Sequence, residues 1–435
     1  MLASCNKFTW VRSCYNVARS KLRVMPPVAR VACITTNTGV DKFDGSFTQQ
    51  NPISEEAIEA AVRVMRSGRL HRYNVAEGEA GEAALLEKEF AEMLGARYCI
   101  AVASGGYALA TALRALGVSH GSKVLTNSFT LAPVPGSIAA VGAEPLYVDV
   151  TEDLVIDFED LISKSAQANV LMLSHMRGHI CDMEALMEIC DNNGITVVED
   201  CAHTMGAKWN GKWSGCFGKI GCYSTQTYKH INSGEGGFII TDDAEVMARA
   251  VMLSGSYMLY DRHLAVPEAK TFEEIRYMTP NISGRMDNLR AAILRPQLKT
   301  LQRDCNAWNE RYLAIESELA ATPGLSLISR PDKEEFVASS FQFLLKDWSA
   351  GAIREVISRC VAMGVELKWF GAEEPVGFTS TYTSWQYAPH EPMPQTDKIL
   401  AGLVDMRIPL TFSLEDCRTI AKIIHTEVGK VLNKT

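Results

Sequence analysis

From about residue 98 to residue 241 the chain alternates short apolar runs with helix-forming segments, and this rhythm restricts the fold more than any other feature. The runs Tyr98–Ala103, Lys123–Thr126, Pro145–Val150, Val170–Ser174 and Ile195–Glu199 are expected strands. Between them Tyr107–Leu116, Val134–Val141, Phe158–Ser163 and Asp182–Asn192 are expected helices. Strands that recur only after a helix return parallel to one another, so the pattern predicts a mostly parallel sheet covered on both faces. Gly221–Ser224 and Gly237–Thr241 are two further strands around a polar, Gly-rich loop. Ahead of the sheet, Ser54 caps a helix that begins with Glu55 and Glu56, and residues 82–94 form another that Gly95 stops. Beyond a long helical stretch at about 287–320 the style changes to α+β, with a strand near Ser339–Leu345, a helix near Ala352–Met363, a strand near Glu366–Trp369 and a closing helix over about Leu414–Leu432. The expected organisation is a tail at 1–40, a large α/β domain at 41–324 and a smaller α+β domain at 325–435.

Composition narrows the function. The net charge of −8 argues against nucleic acid as the main partner. The longest uncharged apolar stretch, Phe129 to Ala143, is broken by Pro133, Pro135 and Gly136, so no spanning helix and no membrane partner is expected. Twelve cysteines without a C-x-x-C pair read as reduced thiols. Residues 1–40 hold Lys7, Arg12, Arg19, Lys21, Arg23 and Arg30 and no acidic residue. That is the composition of an organellar transit peptide, mitochondrial ahead of plastid, with a basic tail on a cytoplasmic protein as the alternative.

Three segments stand at the carboxyl ends of expected strands, where open α/β sheets bind ligands. In Ser104-Gly105-Gly106-Tyr107 a strand gives way to a helix through two glycines, either an anion cradle of bare N–H groups or a tight turn that needs glycine. In Glu199-Asp200-Cys201-Ala202-His203 an apolar strand runs into two carboxylates. Such a pair is costly without partners; one caps the next segment, or Asp200 holds a protonated ring nitrogen. In Ser224-Thr225-Gln226-Thr227-Tyr228-Lys229 a lysine stands among hydroxyls before Gly234, Gly236 and Gly237. It is either a surface lysine or an amine that condenses with a carbonyl. Together the three fit pyridoxal phosphate (PLP), which needs a lysine for its aldehyde, a cradle for its phosphate and an acid for its pyridine nitrogen. His175 and His179, four apart, are a weaker pattern that Gly178 interrupts, and no metal is expected. Arg285 and Arg407 are candidate carboxylate binders with structural pairing as the default, and Phe378–Tyr387 is either a substrate-facing loop or packing.

With these segments in order, residues 50–300 resemble the DegT/StrS family of PLP-dependent sugar aminotransferases, of aspartate-aminotransferase-like fold type I. Gly142-Ala143 before Val148-Asp149-Val150, the glycines 211, 215 and 218, and Arg285-Met286 followed by Ala291-Ala292 carry the same resemblance. It implies Lys229 as the Schiff-base lysine, Asp200 on the pyridine nitrogen, His203 near the ring hydroxyl, and Ser224, Gly105 and Gly106 on the phosphate. It implies a homodimer with shared active sites, an amino acid donor (glutamate or glutamine) and a small-molecule ketone acceptor, a keto-sugar or keto-cyclitol. Three departures stand out. Gly106 replaces a usual threonine and Leu131 an aromatic that stacks on the cofactor, with Phe129 nearby. The segment through which a partner subunit reaches the phosphate reads Ser283-Gly284-Arg285-Met286, with Asn281 displaced by two. Family members that act as sugar dehydratases carry histidine in place of the lysine; here Lys229 is present with His230 beside it. A non-catalytic PLP-fold binding or regulatory protein is the other alternative, and loss of the lysine or aspartate would mark it.

Overall fold

A computed structural model describes residues 41–434, and the expected targeting segment at 1–40 lies outside them. Helices α1 (Glu55–Ser67) and α2 (Glu82–Leu94) precede the first strand, β1 (Tyr98–Val102), and helix α3 (Gly105–Ala115) follows it. Ser54 caps α1 through its side chain, and Gly68 and Gly95 end α1 and α2 in the left-handed conformation that glycine adopts without penalty. Strands β2 (Lys123–Asn127), β3 (Glu144–Val148), β4 (Val170–Ser174) and β5 (Thr196–Asp200) follow with helices between them. The seven-stranded sheet runs in the order β1, Gly237–Thr241, Ile220–Ser224, β5, β4, β2, β3. All neighbours from Ile220–Ser224 to β3 are parallel, and Gly237–Thr241 alone lies antiparallel to both its neighbours. The strands are buried almost throughout, as a sheet covered on both faces requires.

Strand Ser340–Leu344 pairs antiparallel with Leu403–Arg407, which also pairs with Lys368–Trp369. With Ser326–Leu327 these make a four-stranded sheet backed by helices Ala350–Ala362 and Leu414–Leu432. Leu403–Arg407 escaped the sequence reading because Asp405 and Arg407 break its apolar run; the fold brings Arg177 to Asp405 and the Tyr228 ring under Arg407. Helix Asn288–Leu319 joins the two layers: Ala291, Leu294, Leu301 and Trp308 pack in the core under the large sheet, and Tyr312, Ile315 and Leu319 in that of the four-stranded sheet. Phe43 and Phe47 belong to the second core as well, edge-on to Phe412 at 5.1 and 5.0 Å. The first described residues therefore cover the four-stranded sheet, not the large one.

A buried ion cluster locks α2 to β1. Glu87 accepts from the Ala101 N–H at 2.8 Å and pairs with Arg72 at 2.8 Å, and His263 Nδ1 lies 3.0 Å from its other oxygen. Tyr73 hydroxyl reaches the opposite ring nitrogen of His263 at 2.8 Å. Burial alone would raise the Glu87 carboxyl, but Arg72 and then His263 pull it down to about 2. Glu87→Ala should cost about 3–5 kcal/mol of stability by denaturant titration, because it strands Arg72 in the interior. The folded pKa lies below the ordinary 4.5, so Glu87's stabilisation is complete above about 4.5 and is lost as pH falls toward about 2. Acid titration of the variant should lack that part of the decline.

Candidate active site

The three sequence segments converge at the carboxyl edge of the large sheet. Ser104 leaves β1 in extended conformation and its Oγ accepts from the Tyr107 N–H at 3.1 Å. That satisfies one of the first-turn donors of α3 and leaves the N–H groups of Gly105 and Gly106 without acceptors among the described residues. The two glycines differ. A Cβ on Gly105 would stand 2.8 Å from Ser224 Cβ, so only glycine lets the helix start against that strand; a Cβ on Gly106 would find nothing closer than Pro133 Cβ at 3.7 Å.

The acidic pair divides its work. Glu199 accepts from the N–H groups of Gly215, Phe217 and Gly218 at 2.7–2.8 Å and pairs with His175 Nε2 at 3.0 Å. It is a structural carboxylate that shapes the 215–218 turn. Among the described residues Asp200 accepts only from the Ala202 N–H and the Ser174 hydroxyl, both at 3.1 Å. Burial raises its pKa, with the Ala202 N–H and Lys229 pulling the other way. A cationic group placed against it would relieve that penalty.

Lys229 sits on the turn that follows strand Ile220–Ser224, its own N–H bonded to the Gln226 carbonyl at 2.9 Å. Its Nζ lies 3.0 Å from His203 Nε2. His203 Nδ1 accepts from the Arg177 N–H at 3.3 Å, which leaves Nε2 as the protonated nitrogen of a neutral ring. Burial first, then Lys229 and Arg177, holds His203 well below the ordinary histidine range. An Nε2–H facing Lys229 meets a neutral amine as an acceptor and an ammonium as a clash. Burial, opposed by Asp200 and assisted by Arg177 and Arg407, brings Lys229 down to about 8.

Two cavities meet at this amine and share Leu131, His203, Gln226 and Lys229. One, of about 340 Å³, is lined by Gly105, Gly106, Ser174, Asp200 and Ser224. The other, of about 230 Å³, opens past Arg177, Tyr228, Phe378 and Arg407. Of the residues that the sequence marks, Gly105, Gly106, Leu131, Asp200, His203, Ser224 and Lys229 line the first cavity. Asn281 and Ser283 do not: Asn281 Oδ1 accepts from the Ser283 N–H at 3.1 Å, and both residues are exposed. Phe129 does not replace the aromatic missing at Leu131; it is buried edge-on to Phe370. His230 turns away to Ser339 and Trp308. His175 and His179 part company, the first on Glu199 and the second on Gln342 Oε1 at 3.1 Å. The 378–387 stretch also divides, since Tyr382 and Trp385 pack with Tyr147 while Phe378 faces the second cavity. Arg177 and Ser174 were not singled out as site residues. Ser174 at the end of β4 was the findable one, because a hydroxyl there lies level with Asp200 on the next parallel strand. A third and larger cavity, about 830 Å³, lies apart along Lys212, Trp213 and Asp242 and contains none of these groups.

Residues 51–425 match the DegT/DnrJ/EryC1/StrS aminotransferase family, and the chain belongs to it. It is similar to GDP-perosamine synthase of Escherichia coli O157:H7, 35% identical over 217 residues, which are 49% of this chain and 56% of that one. It is also similar to dTDP-3-amino-3,4,6-trideoxy-alpha-D-glucose transaminase of Streptomyces venezuelae, 31% identical over 289 residues, 64% of this chain and 69% of that one. The chain thus spans less than two thirds of the first relative's length. Among solved structures, 3-amino-5-hydroxybenzoic acid synthase superposes with a TM-score of 0.75 at 24% identity, covering 88% of this chain and 99% of that one. The fold is the aspartate-aminotransferase-like fold type I.

Lys229 should be the most acidic lysine of the chain. Acetylation by acetic anhydride in cofactor-free protein, followed by peptide mass mapping, should titrate near pH 8 at Lys229 and near about 10.4 at solvent lysines. The sign follows from the neutral amine being the reactive form. Asp200→Asn removes the charge that holds the proton on Lys229 and should move its midpoint lower still. A Lys229 midpoint above 10 would contradict the geometry.

Proposed function

We propose that this chain is a PLP-dependent aminotransferase that moves an amino group from an amino acid, glutamate or glutamine, to a keto-sugar, keto-cyclitol or related ketone. The observation that carries the reading is the junction at Lys229, where a perturbed amine stands between two adjoining cavities of different lining. The first cavity, of about 340 Å³, suits PLP in the chemistry of its ends. Free N–H groups at the start of α3 and the Ser224 hydroxyl offer an anion cradle, and Asp200, with only two donors, awaits a cation at the other end. Gly105, Gly106 and Ser224 would hold the phosphate, Asp200 would keep the pyridine nitrogen protonated, and His203 would lie beside the ring. When bound, PLP supplies an aldehyde that condenses with amines and a cationic ring that withdraws electrons from the adjoining carbon.

The chain's own residues supply the rest. Lys229 holds or releases the cofactor through Nζ and, once free, takes the proton from the amino-bearing carbon of the substrate at that same atom. A pKa near 8 keeps it close to balance between the two protonation states. His203 biases Nζ toward the neutral form without itself carrying charge. Retention of Lys229 and the turn of His230 away from the cavity favour amino transfer over dehydration.

The active unit in this reading is a homodimer that shares its sites. Support comes from the exposed apolar side chains Tyr257, Met258, Leu264, Tyr277, Met278 and Ile282, gathered in one segment that ends at Ser283 and Arg285. Apolar surface of this kind marks an interface. Arg285 is tied to the Gly255 carbonyl at 2.8 Å and stacks on Tyr257, which holds this edge in shape.

Purified protein should be yellow, and borohydride should fix the cofactor on Lys229. L-Glutamate or L-glutamine should bleach the colour and yield the matching keto acid. Lys229→Ala should lower turnover by about 10²–10⁴-fold; a variant that keeps full turnover would end the proposal. Gly106→Thr should fold normally, because the site has room for a side chain. One added hydroxyl on a charged phosphate is worth about 1.5–3 kcal/mol, so PLP affinity by equilibrium dialysis should rise about tenfold or more.

A further inference from the structure

Residues 41–53 form neither helix nor strand, yet they are pinned at several points. Phe43 and Phe47 are buried in the core of the four-stranded sheet. The Phe43 N–H donates to the Met363 carbonyl at 3.0 Å, and a Cβ on Gly364 would collide with the Phe43 carbonyl, so this approach needs glycine. Thr411 Oγ1 donates to the Gln49 carbonyl at 3.4 Å, and Gln49 Nε2 to the Gln50 carbonyl at 2.9 Å. At its other end the segment runs into α1, whose Ala60 and Val64 pack with Ala292 of helix Asn288–Leu319. The segment thus bridges the two layers, and where it crosses between them Gln50 lines the second cavity together with Lys229.

The Gln50 amide is half-buried there and the fold makes little use of it. Its Nε2 reaches only the Thr48 carbonyl, at 3.5 Å, and its Oε1 has no partner among the described residues. Two other neutral groups on the same cavity keep bonding capacity. Gln226 Oε1 accepts from the Tyr228 N–H at 2.9 Å, while its Nε2 has no acceptor among the described residues. Ser339 Oγ lies 3.2 Å from His230 Nε2, and a hydroxyl with one bond still offers another lone pair. These three groups come from distant parts of the chain. Amides and a hydroxyl pair with substrate hydroxyls as donor or acceptor and carry no charge. At about 230 Å³ the cavity is smaller than the about 300–1,000 Å³ usual for drug-sized molecules, so it suits a single ring.

We propose that Gln50 is a specificity-determining residue of the second cavity, where with Gln226 and Ser339 it recognises the hydroxyl groups of the ring ketone that receives the amino group. The inference deepens the aminotransferase reading and rests on it for the reaction, but not for the recognition of hydroxyls. In that reaction the ketone carbon gains the nitrogen and a hydrogen and is reduced, and the cofactor carbon gains the oxygen and is oxidised to the aldehyde. A substrate hydroxyl buried against position 50 without the amide would be left unpaired, which costs more than the bond itself contributes. Gln50 makes no hydrogen bond to Asp200, His203 or Lys229, so loss of its amide alters the choice of acceptor and not the state of the amine.

The test loads the protein with pyridoxamine phosphate and follows the return of PLP absorbance by stopped flow. Three ketones are compared: pentahydroxycyclohexanone, with a hydroxyl on each remaining ring carbon; cyclohexanone, with none; and 2-oxoglutarate, an open-chain acid. Wild type should use the hydroxylated ring at least about tenfold better than the plain one. Gln50→Met keeps the length of the side chain without its polar atoms. It should lower kcat/KM for the hydroxylated ring about fivefold or more and change the other two by less than about twofold. An unchanged rate with the hydroxylated ring, an equal loss with all three ketones, or a wild type that does not prefer the hydroxylated ring would each overturn the assignment. The two readings fail separately. If L-glutamate leaves the PLP form unchanged and no ketone restores PLP, aminotransfer falls, and calorimetry of pentahydroxycyclohexanone on the PLP-loaded protein decides Gln50. Binding weakened about fivefold in Gln50→Met keeps the assignment, and equal or absent binding removes it. If 2-oxoglutarate restores PLP while Gln50→Met matches wild type with the hydroxylated ring, aminotransfer stands and the role of Gln50 falls.

Discussion

The site depends on a close backbone approach at the carboxyl edge of the large sheet. A Cβ on Gly105 would stand 2.8 Å from Ser224 Cβ, and one on Gly237 2.7 Å from the Ser104 carbonyl carbon. Three segments far apart in sequence can meet only because two of them lack side chains there. The contact places the start of α3, with its unpaired N–H groups, directly beside the end of strand Ile220–Ser224. Lys229 follows five residues after Ser224 on a turn tied by backbone bonds from Thr225 to Gly236 and from Lys229 to Gln226. The distance between anion cradle and amine is thus set by main chain, not by side-chain choice.

On this frame the electrostatics divide into two nearly self-contained sets. Glu199 and His175 are bonded to each other below the site, and Glu199 accepts three further hydrogen bonds from the 215–218 turn. They are rigid parts. Asp200, His203 and Lys229 are under-satisfied by comparison, and burial shifts each toward its neutral form. An interior of low dielectric makes such groups costly until a complementary ligand arrives, which is why a perturbed cluster of this kind identifies a site and a satisfied pair such as Glu199–His175 does not.

Much of this was legible in the sequence because the informative residues lie at strand ends. Period and turn signals give the strand ends, and the chemistry of Gly105, Asp200, Ser224 and Lys229 follows from where they fall. The choice between Glu199 and Asp200 was not decidable from spacing alone, since it turns on which carboxylate faces the 215–218 N–H groups. Arg177 was out of reach for another reason. Its partners are Asp405, Gln342 and His179, and they come from a second sheet whose key strand hides behind its own charges. Phe43 and Phe47 were assigned with the large domain by position, whereas they cover the four-stranded sheet. No periodicity links so short a segment to a core 300 residues away. Asn281 and Ser283 are a different case: within one chain they touch no part of the cavity, so any role for them needs a second copy.

The division between cavities also explains how one framework can serve different substrates. The first cavity is lined mostly from elements of the large sheet, with apolar walls from Leu109, Leu131, Val134 and Met176 around the polar groups of Ser174, Asp200, Ser224 and Lys229. The second cavity takes Ser339, Ser340, Phe378 and Arg407 from the four-stranded layer and the loops beside it. A substitution at Arg407 or Phe378 alters what lies in front of Lys229 without moving Asp200 or the start of α3. Where the two sets touch, they do so through His203, whose Nδ1 accepts from the Arg177 backbone while its Nε2 faces Lys229. That link uses the Arg177 main chain, but the Arg177 and Arg407 guanidinium groups also lower the Lys229 pKa, so a substitution at either changes the protonation of the lysine together with what lies in front of it.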